Sequence, residues 1–364
     1  MQNNYNVIGL MSGTSLDGLD LAHCTFSRIE QAWHYQLNAY KHVPYSWQWE
    51  NDLQQAVHWN PVDLLELDIR YGRWLGQQVQ AFLSTHNLPT DLVASHGHTV
   101  HHRPELGFTL QIGHGQALAD TCQQTVINDF RTRDVLLGGQ GAPLVPVGDQ
   151  LLFSDYDICL NLGGFANISF SEKGIRKAYD IGMANIGLND LSRRIGLAFD
   201  TGGEKARSGK CVPALLHDLD ELPYYQLPIP KSTGYEWYTE AVQPLFAKHP
   251  ATVVDWMHTL TVHIASVIAK DLQKWTTKKE PRLLVTGGGA FNTFLLEKIQ
   301  AQLGPYWKVV IPDESLISYK EAIVFGLLGV LRLRQEINCL ASVTGAKYSV
   351  SGGNIYSPFS GNSY

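Results

Sequence analysis

The stretch "GLMSGTSLDGLD", Gly9 to Asp20, follows an apolar run and governs how the rest of the chain is read. Glycines beside hydroxyls suit a backbone that closes on phosphate through its N–H groups. The stretch carries no lysine or arginine, only the carboxylates Asp17 and Asp20. Like charges repel, so carboxylates fit a phosphate loop when Mg2+ stands between them and the phosphate oxygens. The alternative is that Asp20 points into the following strand and is structural. A Walker loop is excluded. Its nearest match, "GEKARSGKC" from Gly203, is too long, ends in Cys211 and follows no strand. No GxGxxG follows the first strand either, which disfavours a Rossmann dehydrogenase.

Outward from this loop, short β-branched runs alternate with helical patterns. "YNVIGLM", "DLAHCTFS" and "HYQLNAYKHV" read as three strands. Leu67, Tyr71, Trp74, Leu75, Val79 and Phe82 then fall on one helical stripe. "DLVASHG" is a buried strand, and "LADTCQQTVINDF" a helix running into a strand. The scheme restarts with "YDICLNLGG", "FANISF" and "GIRKAYDIG", then "PRLLVTGGG", "AFNTFLLEKIQAQL", "WKVVIP" and "SYKEAIVFGLLGVLRLRQE". The stretch 203–235, rich in Pro, Gly and Lys, is expected to form surface loops. The fold class expected is α/β, with two related domains and a ligand cleft between them. The boundaries expected are 1–130, 131–338 and a C-terminal tail, 339–364, packing back on both. All three glycine turns fall at carboxyl ends of strands, where ligands sit in such folds. The nucleotide-holding set is therefore Gly13, Thr14, Ser15, Leu16, Asp17, Gly18, Leu19 and Asp20, with Gly163, Gly164, Gly287, Gly288 and Gly289. Asp17 is the metal candidate.

Composition narrows the class. Of 364 residues, 44% are hydrophobic and 17% charged, a globular profile. The net charge of −6 gives no general electrostatic attraction to nucleic acid or an anionic membrane. No apolar run approaches the roughly 20 residues a membrane helix needs, and the N-terminus shows no signal-peptide pattern. Five scattered cysteines without a CxxC pair read as reduced thiols in a cytoplasm.

The motifs "GLMSGTSLDGLD", "SHGHTVHHRPELGFTLQIG", "INDFRTRDVLLGGQGAPLVP", "NLGGFANIS", "PKSTGYEW", "LVTGGGAFN" and "SYKEAIVFG" occur in that order. Together they resemble the anhydro-N-acetylmuramic acid kinase family over essentially the whole chain. "GTSLDGLD" and "GGQGAPLVP" are specific; "TGGG" is not. The resemblance implies the actin-like and sugar-kinase ATPase (ribonuclease H-like) fold, and a cytoplasmic, usually homodimeric enzyme of peptidoglycan recycling. Such an enzyme opens the 1,6-anhydro bridge with water and phosphorylates the 6-oxygen, turning ATP into ADP with Mg2+. Its small-molecule partners are ATP and the anhydro amino sugar.

The family's catalytic base lies in a D-T-G-x-x-N segment, matched here by "DIGMAN", so the resemblance implies Asp180 as base, with Asn185 completing the match. Ile181 replaces the threonine and Met183 a common proline. Alone, Asp180 would read as a strand-end aspartate capping a helix. The resemblance also implies an active-site role for Glu321, against the plain reading of a helix-dipole partner. Asp129 and Arg131 sit at a strand end, where Arg131 suits the substrate's lactyl carboxylate in a bidentate grip; a surface salt bridge is the competing reading. Among His96, His98, His101 and His102, His96 is the substrate-contact candidate. A zinc reading lacks a Cys or acidic ligand at suitable spacing. Trp47, Trp49 and Trp59 serve core packing or sugar stacking. Two other functions stay open: a related sugar kinase acting on a free hydroxyl, and an actin-like assembly ATPase.

Overall fold

The structure, a computed structural model, describes residues 3–13 and 16–359, so Thr14 and Ser15 of the phosphate loop lie outside the described residues. The chain divides into two compact units, Met1–Leu152 with Tyr319–Tyr364, and Phe153–Ser318. The sequence places boundaries instead at 130/131 and 338/339. At the second boundary the difference comes from one long helix, whose later part packs on the first unit's sheet and carries the rest of the chain with it; at the first, the helices within 132–152 stay with the first unit.

The first unit begins with β1 (Asn4–Ser12), β2 (Gly18–Ile29) and β3 (Ala32–Pro44), followed by α1 (Trp47–Gln55) and α2 (Pro61–His86). After these come β4 (Leu92–Ser95), the hairpin β5 (His98–Arg103) and β6 (Phe108–Ile112), α3 (Gly115–Cys122), β7 (Val126–Asn128), α4 (Thr132–Leu136) and α5 (Val145–Leu152). The main sheet has the order β13-β7-β4-β1-β2-β3, where β13 (Asn354–Tyr356) returns from the C-terminus. β1 pairs parallel with β4 and antiparallel with β2. Alternation along β1 sorts its two faces. Ile8 and Leu10 pack with Leu67, Tyr71, Leu75, Val79 and Phe82 of α2, the expected helical stripe. Gly9 faces the helix Glu314–Leu333, where an added Cβ would lie 1.8 Å from the Ala322 carbonyl oxygen. Only a glycine lets this strand and helix approach so closely. α2 starts cleanly because Asn60 caps the Val62 and Asp63 N–H groups and Pro61 needs no partner for its nitrogen.

The second unit holds β8 (Ile158–Leu162), β9 (Phe165–Glu172), β10 (Ile175–Met183), α6 (Asn185–Arg193), α7 (Glu204–Ser208), α8 (Pro213–Asp220), α9 (Tyr235–Trp237), α10 (Gln243–Lys248) and α11 (Val253–Leu272). β11 (Arg282–Thr286), α12 (Thr293–Leu303) and β12 (Lys308–Val310) complete it, before α13 (Glu314–Leu333) crosses back to the first unit. A short α14 (Ala341–Thr344) follows. The sheet order is β10-β9-β8-β11-β12. β8 and β11 run parallel, with Asn161 opposite Thr286, so both strands end at the same edge and deliver their glycines there.

The stretch 203–235 is not simply surface loop. Leu215 and Leu219 of α8 are buried in the second unit's core. Pro213 opens that helix at its first turn, where a missing N–H does no harm, so a residue that reads as a breaker acts as a starter.

Candidate active site

In the second unit, Asp180 lies on β10 at a register shift between Asp180 and Gly182. Bulges of this kind re-aim a side chain beside a site. Asp180 Oδ2 accepts from Ser232 Oγ (3.0 Å) and Thr233 N (3.1 Å), and Oδ1 has no partner among the described residues. The backbone is tied down on both sides: Asp180 N donates to Lys231 O (3.0 Å), and Tyr224 Oη donates to Asp180 O (2.8 Å). Burial pushes the Asp180 carboxyl above its ordinary range, and the Thr233 N–H and Ser232 hydroxyl only partly counter it. The carboxylate is thus oriented, more basic than usual and open on one oxygen. Ile181 and Met183 are both buried against the core, so the two departures from the family motif change packing rather than the polar lining. Ser232 and Thr233 went unassigned in the sequence because their segment reads as loop; the motif "PKSTGYEW" was their signal. The Thr233 hydroxyl is buried with no partner among the described residues.

The second unit's glycines divide into two groups. Gly287 has φ +80°, and a Cβ there would meet the Leu162 carbonyl at 2.9 Å; at Gly289 it would meet Leu162 Cβ at 2.6 Å. Both are required by packing. Gly288, Gly163 and Gly164 are not: their nearest neighbours to an added Cβ lie at 4.0, 3.4 and 3.9 Å. A Cβ at these three would make only ordinary contacts, so packing does not demand glycine there. The Gly163 and Gly164 carbonyls accept from Asn185 N, Ala184 N and Ile186 N, which fixes the turn on the start of α6. Those helix N–H groups are therefore already used.

In the first unit, Leu16 turns the loop with φ 59°. Gly18 admits no Cβ, which would lie 2.4 Å from Val43 O. Leu19 is buried core and Asp17 is exposed. Asp20 lies in β2 and bonds His42 Nδ1 (2.8 Å), as in the strand-directed alternative. Burial raises its carboxyl, His42 opposes this and Asp17 adds to it. Of the two aspartates, exposed Asp17 is the better suited to a hydrated cation; among the described residues no cluster of three or more metal-ligating side chains occurs.

His96 and Arg131 come together, and in an unexpected way. His96 Nδ1 faces the Gly97 carbonyl (2.9 Å), which can only accept, so the proton is on Nδ1. Nε2 then accepts from Arg131 Nε (3.1 Å) and Nη2 (2.8 Å). Burial, then the Arg131 charge, hold His96 well below the usual imidazole range. Both ring nitrogens are engaged within the protein, and through Nε2 His96 orients Arg131. Arg131 Nη1 also donates to Gly141 O (2.7 Å). Of five guanidinium N–H donors, those contacts use three, leaving one on each Nη for a ligand. Burial pulls Arg131 down to about 10, opposed by the Glu321 charge. Beneath this, the buried Asp134 accepts from Gly141 N (2.8 Å), Thr344 Oγ1 (2.7 Å) and Cys339 Sγ (3.1 Å), fixing the loop that holds Arg131.

Glu321, on α13, is open to solvent while surrounding protein pushes its carboxyl upward, against the pull of Arg131 and Lys320. Lys320 itself is buried in an ion pair with Asp149 (2.7 Å), which anchors the start of this helix segment. Asp129 is not brought to Arg131. It caps Thr132 N (3.3 Å), accepts from Asn354 Nδ2 (3.2 Å) and lines a separate cavity of about 290 Å3 with Arg133 and Arg332. Asp129 and Arg131, neighbours at the strand end, therefore have separate surroundings.

The other histidines are structural or peripheral. His98 Nδ1 bonds Ser12 Oγ (3.2 Å), which continues to Tyr45 and Tyr71, and His102 bonds Thr109. Burial pushes His98 down to about 4. The unfolded state, at the ordinary value near 6.5, takes up a proton that the folded state refuses. This contribution is therefore present above pH 6.5 and lost as pH falls toward 4, about 2 kcal/mol by pH 5. Urea unfolding at pH 7.5 and 5 measures it, and His98→Asn should flatten that dependence. Trp49 packs against Tyr71 and Trp74, while Trp47 stays 76% exposed.

An oriented carboxylate raised by burial, in a unit whose parallel strands β8 and β11 end in glycine turns, suits a small-molecule kinase. The chain belongs to the anhydro-N-acetylmuramic acid kinase family, whose model matches residues 5–358. It is 38% identical to the anhydro-N-acetylmuramic acid kinase of Pasteurella multocida, covering 96% of each chain. It is 34% identical to that of Actinobacillus pleuropneumoniae serotype 7, covering 96% of this chain and 98% of the relative, and 33% identical to that of Vibrio parahaemolyticus, covering 98% and 100%. Among solved structures it is similar to the Acidaminococcus fermentans (R)-2-hydroxyglutaryl-CoA dehydratase component A, at 12% identity and a TM-score of 0.45, covering 89% of this chain and 96% of that one.

Proposed function

We propose that the enzyme opens the anhydro bridge of 1,6-anhydro-N-acetylmuramic acid with water and transfers the γ-phosphoryl group of ATP to the released 6-oxygen, giving N-acetylmuramic acid 6-phosphate. The observation that carries this is Asp180: one oxygen held by Ser232 and Thr233, the other open, and the carboxyl raised by burial. A base for water at the anomeric carbon needs these properties. Arg131 takes the lactyl carboxylate through its two remaining N–H groups, with His96 orienting it. Glu321 senses the same sugar. The loop Gly13–Asp20 and the turns at Gly163, Gly164 and Gly288 hold the nucleotide.

Mg2+ fits the exposed carboxylate of Asp17, and when bound it neutralises charge on the β- and γ-phosphate oxygens. The role is peptidoglycan recycling, in a cytoplasmic homodimer. No helix among the described residues is long and apolar enough to cross a membrane.

Rapidly quenched incubation with ATP, Mg2+ and the anhydrosugar in 18O-water tests the reaction. The expected product carries one solvent oxygen on the anomeric carbon and phosphate on O6, with one ADP per sugar. Phosphorylation with the anhydro ring intact, or action only on sugars with a free hydroxyl, would replace this reading with an ordinary sugar kinase.

A further inference from the structure

Three polar side chains in the same unit as Asp180 form a chain that the contacts described so far do not use. His263, midway along α11, is fully buried. Its Nδ1 lies 2.6 Å from Asp220 Oδ1, at the end of α8, and its Nε2 lies 2.9 Å from the Tyr225 hydroxyl. A carboxylate only accepts, so the ring proton sits on Nδ1 and Nε2 accepts from Tyr225. Burial, opposed by Asp220, holds His263 below the ordinary imidazole range, which keeps the Nε2 lone pair free for that bond. The chain ends on the segment that frames Asp180. Tyr225 belongs to the short turn Pro223–Gln226, and its ring lies against Gly182, the residue that closes the register shift at Asp180. A Cβ on Gly182 would meet Tyr225 Cε1 at 2.6 Å. The adjoining Tyr224 donates to the Asp180 carbonyl (2.8 Å). Lys231 Nζ donates to the Tyr224 and Tyr225 carbonyls (3.1 and 3.4 Å), and the next two residues, Ser232 and Thr233, hold Asp180 Oδ2. The Tyr225–His263 bond thus ties to α11 the segment that supplies the polar contacts of the Asp180 carboxylate.

We propose that His263 is a positioning residue for the reaction: oriented by Asp220, it fixes Tyr225 and, through the segment Tyr224–Thr233, sets the direction of the open oxygen of Asp180. The inference rests on the reading of Asp180 as the base and deepens it. A water attacking the anomeric carbon must meet that oxygen in a narrow geometry, and a misplacement of about 1 Å costs up to roughly 10²-fold in rate.

Steady-state and single-turnover kinetics of the full chain with ATP and the anhydrosugar test it. Tyr225→Phe keeps the ring against Gly182 and removes a single oxygen; His263→Leu removes both bonds at once. Each should lower kcat roughly tenfold and leave both KM values within about twofold of wild type, with an unchanged circular dichroism spectrum. Should His263→Leu lose that spectrum, Tyr225→Phe alone decides. Placed on Asp180→Asn, neither change should slow the single turnover further, because the group it positions is gone. A network that only stabilises the fold would lower the melting temperature and spare kcat. Wild-type kcat in both variants, a loss carried by KM, or the same fractional loss with and without the Asp180 carboxylate overturns the positioning role and leaves the base standing. An Asp180→Asn enzyme within a few-fold of wild type overturns the base itself, and this inference with it.

Discussion

Asp180→Asn should bind ATP as wild type does and turn over the anhydrosugar about 10²–10⁴-fold more slowly, the range a positioned base contributes. Asparagine keeps the size and can keep the contacts to Ser232 and Thr233, so the fold and the loop carrying Lys231 stay in place. What it loses is the ability to take a proton from water. The loss should appear in kcat rather than in KM, because the proton moves only in the transition state. Equilibrium ATP binding and single-turnover kinetics measure both. A variant within a few-fold of wild type would show that Asp180 caps and braces the segment but is not the base.

Removing the Arg131 head group should act on the other side of the ledger of kinetics, in KM. Arg131→Ala deletes the two N–H groups proposed to hold the lactyl carboxylate, together with the contacts to His96. A charge-assisted bidentate pair contributes about 3–4 kcal/mol when desolvated, so KM for the anhydrosugar should rise roughly 10²-fold or more. A sugar analogue lacking the lactyl carboxylate should bind wild type and variant alike, which separates loss of the pair from general disruption. Arg131→Lys should recover little, since an ammonium cannot keep the His96 and Gly141 contacts and the outward fork together. Equal damage with both sugars would remove Arg131 from carboxylate recognition.

The chemistry-bearing motifs were legible where residue type and local spacing suffice. β1 and its glycine loop, the α2 stripe and the strands ending at Gly163 and Gly287 all follow from periodicity and punctuation. The division of roles within those motifs was not. In "TGGG", Gly287 and Gly289 answer to neighbours on β8 and only Gly288 is spared, a distinction set by atoms more than a hundred residues away. Asp129 and Arg131 stand two apart in "NDFRTRD" yet serve different surroundings. The bond between His96 and Arg131 joins residues 35 apart, a pairing that no local spacing encodes.

The sequence by itself determined the α/β pattern, the order of the motifs and, through them, the family, because hydrophobic period and glycine placement are local properties of the chain. Only the tertiary structure decided that Ser232 and Thr233 grip Asp180, that Asp134 braces the Arg131 loop and that α13 returns the C-terminal stretch to the first unit. Those pairings depend on which surfaces bury one another. Burial also sets the basicity of Asp180 and the neutrality of His96, since desolvation arises from the whole surrounding protein and not from any neighbour in sequence.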